Sequence, residues 1–205
     1  KIFYTLEHPT NDLVTKLIQA EVEGEHLSKK ELFSMIFLLI IAGHETTVNL
    51  IGNGILALLE HPQELEKLKE NPELIKPAVE EILRFYSPVE LTTNRWASEK
   101  IIINNKVISK GDMIVVSIAS VNRDENIFDN PEELNISREN NPHLAFGRGI
   151  HFCLGAPLAR LEGQIALSTF FQRISNVELN LKSNTPIWRP SYLMRGLQEL
   201  PVRIS

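Results

Sequence analysis

The run Phe146-Gly147-Arg148-Gly149-Ile150-His151-Phe152-Cys153-Leu154-Gly155 sets three glycines around the one cysteine of the chain. Helical periodicity starts directly behind it, with Pro157 in the first turn, and continues to Phe171. A stretch this rich in glycine does not belong inside a helix or a packed strand. It has to be a tight turn that delivers its cysteine to a helix N-terminus. Glycines let backbone pass close to a flat group and turn amide hydrogens toward sulfur, while the helix N-terminus favours thiolate over thiol. Thiolate is the form that binds a metal. The competing reading is a buried structural cysteine beside a turn. A lone cysteine excludes any internal disulfide and fits a reducing compartment.

The remainder reads as mainly helical with minor sheet, in one domain or at most two. At 205 residues and 43% hydrophobic, the chain can bury a sizeable core. Its 21 basic and 26 acidic residues leave a net charge of −5 with no like-charge block, which argues against a nucleic-acid partner. Residues 11–23 place Leu13, Val14, Leu17, Ile18 and Val22 on one helical face, and Gly24 ends that helix. Ser28 and Glu31 form a capping box for a long helix that passes Gly43 and ends near Glu60, before Pro62. Its apolar run, 32–42, is broken by Ser34 and falls short of the roughly 20 residues a bilayer-spanning helix needs, so a buried helix and no membrane are expected. A short helix follows at 64–69. Pro77 opens another that reaches Tyr86 and stops at Ser87-Pro88. Runs 101–103, 107–108 and 113–118, separated by Asn104-Asn105 and Lys110-Gly111, read as strands of a small meander. The polar connection 122–144 is long enough to suggest a functional role. After Asn176 a final hairpin is expected, ending at Leu200-Pro201-Val202. The chain opens at Lys1 without an initiator methionine or a secretory leader, and reads as cut from something longer.

Phe146, Gly149, His151, Cys153 and Gly155 fit Phe-x-x-Gly-x-His-x-Cys-x-Gly, which resembles the haem-ligand signature of the cytochrome P-450 family. Three further matches follow the family's order, and the resemblance covers nearly all of the chain. It implies the C-terminal half of the cytochrome P-450 fold across 1–205, with the N-terminal portion absent. The parts are a long distal helix, a Glu-x-x-Arg helix, a meander, the cysteine loop and a proximal helix. It also implies haem b (iron protoporphyrin IX), with Cys153 as the sole protein ligand to iron and Ala145, Phe146, Gly147 and Gly155 against the cofactor.

Ala42-Gly43-His44-Glu45-Thr46-Thr47 puts small residues, an acid and two hydroxyls into an otherwise strong helix, where they are poor helix material. By resemblance this segment crosses the open haem face. Ala42 and Gly43 leave room for oxygen and substrate, Thr46 serves the oxygen to be cleaved, and Glu45 relays protons from solvent. The alternative is a kink in which Thr46 and Thr47 bond back to carbonyls one turn earlier; His44 is assigned to packing or surface. Glu81 and Arg84, three apart, share a helix face and resemble the family's Glu-x-x-Arg element, which braces the cysteine loop. Its usual basic third partner is missing, because Pro131-Glu132-Glu133-Leu134 offers Glu133 where arginine is expected. Arg138 and His143 are the candidates to replace it. Arg95 and His151 stand where the family places cations for the haem propionates.

The resemblance implies a soluble bacterial, cytoplasmic monooxygenase that inserts one oxygen atom into an organic substrate. A small hydrophobic substrate would touch Leu39, 89–92 and 192–194. Electrons would come from a ferredoxin or flavodoxin-type partner, with Arg148 and Arg160 as its contacts. A peroxygenase or haem-thiolate isomerase, and a non-catalytic fragment unable to hold haem alone, are the alternatives.

Overall fold

The computed structural model describes residues 8–22, 25–174, 176–180 and 186–205. The chain divides into two compact units, the first ending at Glu45 and the second spanning Thr46–Ser205.

In the first unit, helix α1 (Leu13–Gln19) is capped by Asp12, whose carboxylate accepts the Thr15 amide at 2.8 Å. The helix expected over 11–23 is therefore shorter. Its apolar face is only half-buried, so little packing extends it, and the backbone turns extended at Ala20. Strands β1 (Glu21–Val22) and β2 (Glu25–His26) then pair antiparallel, and Gly24 lies outside the described residues. Helix α2 (Lys29–Glu60) opens on the expected capping box. The Glu31 carboxylate accepts the Ser28 amide at 2.9 Å, and Ser28 Oγ accepts the Glu31 amide at 3.3 Å. The helix runs unbroken through residues 42–47.

The expectation of a buried helix over 32–42 is corrected here. Leu32 is buried, but Phe37 and Ile40 are each 65% exposed. Sequence periodicity shows which residues share a face and is silent on what covers them. Nor does the apolar stretch stop at Ala42, and by length and composition alone α2 is long and apolar enough to cross a membrane.

The second unit takes in the last turns of α2. These pack with α3 (Pro62–Glu70), α4 (Ile75–Phe85) and α6 (Ala156–Arg173) around Leu50, Leu58, Leu65, Val79, Ile82, Ile136 and Leu167. A Cβ added at Gly163 would sit 3.1 Å from a Leu50 methyl, so a larger residue there would crowd the close approach of α6 to α2. Strand β4 (Ile101–Ile103) pairs with β5 (Lys106–Ile108) across Asn104 and Asn105. Both asparagines have positive φ, 47° and 63°, as a two-residue hairpin turn requires. The expected three-stranded meander over 101–118 is not formed. Strand β6 (Met113–Ile114) pairs instead with β3 (Arg95–Trp96), and the run expected to continue to Ile118 leaves the ladder. Ser117 bridges Leu91 and then caps the short helix α5 (Ile118–Val121) by accepting the Ser120 amide.

The terminal hairpin is likewise two ladders. Strand β8 (Ile187–Trp188) pairs with β9 (Leu197–Glu199), and β7 (Val177–Leu179) pairs with β10 (Val202–Ile204). Pro201 lacks a backbone donor and ends the first ladder between β9 and β10. Part of the expected hairpin, 181–185, lies outside the described residues. The connection 122–144 contains no helix or strand among its residues, all of which are described, and is held by side chains reaching its backbone.

Candidate functional site

The cysteine loop is a turn, as its glycines demand. Gly147 and Gly149 take φ of 71° and 78°, a region that side-chain-bearing residues rarely adopt, and Gly149–His151 form one 3₁₀ turn. The Cys153 amide donates to the Phe146 carbonyl at 2.9 Å, and the Phe152 amide to Gly149 at 3.0 Å. These bonds fold the loop back on itself and present Cys153 exposed, just ahead of α6. Around the sulfur, Ile150 is 97% and Leu154 84% exposed. The competing reading of Cys153 as a buried core cysteine is thereby excluded. Apolar side chains this exposed, beside a soft donor and in a loop with open space where a Cβ at Gly149 would project, suit a flat apolar cofactor.

Beneath the loop, helix α4 presents two adjacent buried or half-buried carboxylates. Glu81 and Arg84 are fully buried and joined bidentately, with Nε–Oε2 and Nη2–Oε1 both 2.8 Å. Arg84 also donates to the carbonyls of Asn122, Pro131 and Glu133, and Phe85 and Phe128 lie against its guanidinium. The missing third partner is Arg138, whose Nε donates to Glu81 Oε2 at 3.1 Å. The Asn135 amide and Asn141 Nδ2 complete the Glu81 shell. Glu81 and Arg84 together thus hold the long connection at Asn122, Pro131, Glu133, Asn135, Arg138 and Asn141, which accounts for its order without regular structure.

Glu80, which the Glu-x-x-Arg spacing passes over, takes the other candidate. His143 Nδ1 accepts the Ala145 amide at 3.2 Å, which leaves the proton on Nε2 to be donated to Glu80 Oε2 at 3.0 Å. Arg160 on α6 grips the same carboxylate bidentately, at 2.7 and 2.9 Å, and its guanidinium lies 4.6 Å from the centre of the Phe146 ring. Burial pushes the Glu80 carboxyl up, but the hydrogen bonds and charges of His143 and Arg160 outweigh it and bring it from 4.5 down to about 2. The Glu80 bond holds the Arg160 guanidinium above its ordinary range against burial, and Cys153 adds to that. A carboxyl depressed on folding stabilises above its unfolded value and loses that contribution as pH falls through the folded one. Glu80→Gln is therefore expected to cost on the order of 2 kcal/mol at pH 7. That gap should begin to close below about pH 4.5 and vanish near pH 2. Urea midpoints of both proteins across this range measure it, and a gap independent of pH would show that the charge of Glu80 is not what stabilises.

The other sequence candidates fall in several places. Arg95 is exposed at the start of β3 and donates to Thr93 Oγ1 at 2.7 Å, while His151 is exposed in the 3₁₀ turn. Ala42, Gly43 and Glu45 belong to the first unit and Thr46 opens the second. Leu39 is half-buried on α2. The segments 89–92 and 192–194 meet: Val89 bridges Met194, and the Glu90 amide donates to Leu193 at 2.9 Å. Arg195 secures this junction by pairing with Glu90 at 2.8 Å and stacking on Trp188 and Tyr86. Arg148 is exposed, whereas the Arg160 fork is occupied by Glu80.

The family model for Cytochrome P450 matches residues 4–196. The chain belongs to the cytochrome P450 family. Over 197 residues it is 54% identical to the polyketide biosynthesis cytochrome P450 PksS of Bacillus subtilis, covering 96% of this chain and 49% of that protein. The solved structure of that bacillaene polyketide synthase P450 superposes with a TM-score of 0.96 at 52% identity, covering 100% of this chain and 53% of that one. P450BioI, solved in complex with an acyl carrier protein ligated to hexadec-9Z-enoic acid, gives 0.93 at 45% identity, covering 100% and 51%. The chain thus spans about half the length of the P450 relatives it matches, and its helices and small ladders are those of a P450 half fold. The family's cofactor is haem b, and the exposed thiol, the open glycine turn and the apolar rim of this loop fit it.

Proposed function

We propose that residues 1–205 are the C-terminal portion of a single P450 domain, completed by the N-terminal half that its relatives carry. The whole acts as a bacterial cytoplasmic monooxygenase that inserts one oxygen atom from dioxygen into a C–H or C=C bond of a small hydrophobic molecule. The observation that carries this is Cys153, exposed on a glycine turn in a chain whose P450 relatives reach 54% identity. Haem b, when bound there, supplies the redox chemistry, with the Cys153 thiolate as its electron-donating protein ligand.

Each remaining candidate has a part this chain can perform. Arg95 and His151 offer the cations that two propionates need. Ala145, Phe146, Gly147 and Gly155 form the backing against which the ring lies. Ala42 and Gly43 leave space on α2, since a Cβ added at Gly43 would meet no atom within 4 Å. Thr46 holds a proton at the oxygen atom that departs as water, and Glu45 carries protons to it from solvent. The joined segments 89–92 and 192–194 form an apolar wall for substrate. Electrons arrive from a separate ferredoxin or flavodoxin-type protein at the thiolate face, where Arg148 is the exposed cation and Arg160, tied to Glu80, contributes less.

The reduced, carbon-monoxide-bound absorption spectrum of the haem-loaded protein tests this reading, because a Soret band at the thiolate position reports iron and sulfur together. A protein that takes up no haem would be a non-catalytic piece. Turnover with hydrogen peroxide, and none with oxygen and an electron donor, would point to a peroxygenase, and rearrangement of a substrate without any oxidant to an isomerase. Thr46→Ala is expected to keep the thiolate band while raising several-fold the fraction of consumed oxygen released as hydrogen peroxide. An unchanged fraction would remove Thr46 from the proton path.

A further inference from the structure

We propose that Glu80 is a positioning residue for the cysteine loop, clamping its entrance through His143 and its exit helix through Arg160. The inference deepens the reading of Cys153 as the iron ligand and rests on it.

The two carboxylates of α4 divide their work. Successive helical residues point about 100° apart, so Glu80 and Glu81 serve different neighbours. Glu81 gathers Arg84, Arg138, Asn135 and Asn141, all on α4 or in the connection 122–144. Among the described residues Glu80 bonds forward, to the two ends of the loop. At the entrance, His143 is fixed on both ring nitrogens, by Glu80 at 3.0 Å and the Ala145 amide at 3.2 Å. At the exit, the Arg160 fork is locked by Glu80 and its flat face covers Phe146. Phe146 also meets the rings of His143 at 6.1 Å and Phe152 at 6.4 Å. Its carbonyl accepts the Cys153 amide. The path from Glu80 to the sulfur-bearing residue is therefore one ion pair, one stack and one backbone bond. Lysine cannot replace Arg160, since it carries the charge without the fork or the planar face.

Hydrogen exchange in the whole protein, before haem is loaded, tests the clamp without any cofactor. In Arg160→Lys and Glu80→Gln the Cys153 amide should exchange about tenfold faster, while the amides of Ile82 and Leu167 keep their wild-type rates. In the haem-loaded proteins the same variants should shift or broaden the iron–sulfur vibration. Three results would overturn the proposal: wild-type exchange at Cys153 in Arg160→Lys, acceleration shared equally by Ile82 and Leu167, or full rescue by lysine of what Arg160→Gln loses. If Glu80→Gln does not fold, Arg160→Lys decides alone. Selective exchange with no thiolate band in the wild type would uphold the clamp and reject the haem ligand. A thiolate band with unaltered exchange would do the reverse.

Discussion

Arg84→Met is expected to leave a chain that does not fold stably, with a loss on the order of 4 kcal/mol or more in urea unfolding. The side chain is fully buried, and it makes two bonds to Glu81 and one each to the carbonyls of Asn122, Pro131 and Glu133. Methionine fills similar volume but donates nothing. It would strip those carbonyls of a buried donor and leave Glu81 with only Arg138 to balance its charge. An unpaired buried charge costs more than the pair contributes, which is why removing one partner is worse than removing both. The connection 122–144 has no ladder of its own to fall back on, so its order should be lost together with the pairing. Arg84→Lys should fare little better, because one ammonium cannot serve four acceptors spread around a planar fork. A loss below about 1.5 kcal/mol in either variant would mean that the hub is an ornament of an already stable core.

What the sequence disclosed and what it hid follow from the range of the interactions. Ser28 and Glu31, Asn104-Asn105, and the glycine turn before α6 act within a few residues, and each appears in the structure as the local rule requires. The choice between Arg138 and His143 could not be made that way. Both are basic, they lie five apart in a segment without periodicity, and their acceptors are neighbours on α4. Arg138 takes Glu81 across 57 residues and His143 takes Glu80 across 63, so only the folded connection sorts them. Glu80 escaped notice because the Glu-x-x-Arg spacing assigns its neighbour, although a second carboxylate one helical step away was the available signal. The pairing of β3 with β6 was hidden because a two-residue strand carries almost no pattern. The exposure of Phe37 and Ile40 was hidden for another reason: apolar spacing identifies which residues share a face and carries no information on what covers it.

Cys153→Ser is expected to abolish the thiolate-type band of the reduced carbon-monoxide complex while leaving the fold intact. The two effects separate because the cysteine is exposed and lies outside both hydrophobic clusters, so exchanging sulfur for oxygen should shift stability by no more than about 0.5 kcal/mol. The backbone bonds that shape the loop, from the Cys153 amide to Phe146 and from the Ala156 amide to Cys153, do not involve the side chain. Serine therefore occupies the same turn. It fails as a ligand on electronic grounds: a hydroxyl is not ionised near neutral pH, and oxygen lacks the soft, polarisable electrons with which a thiolate pushes charge onto iron. Haem uptake can persist in part, since Arg95, His151 and the apolar rim are untouched, and the spectrum would then report a different axial donor. Equal melting curves with the band lost would tie the electron source to this one sulfur. A thiolate band that survives in the serine protein would have to come from a cysteine outside these 205 residues, which hold no other, and would refute the assignment outright.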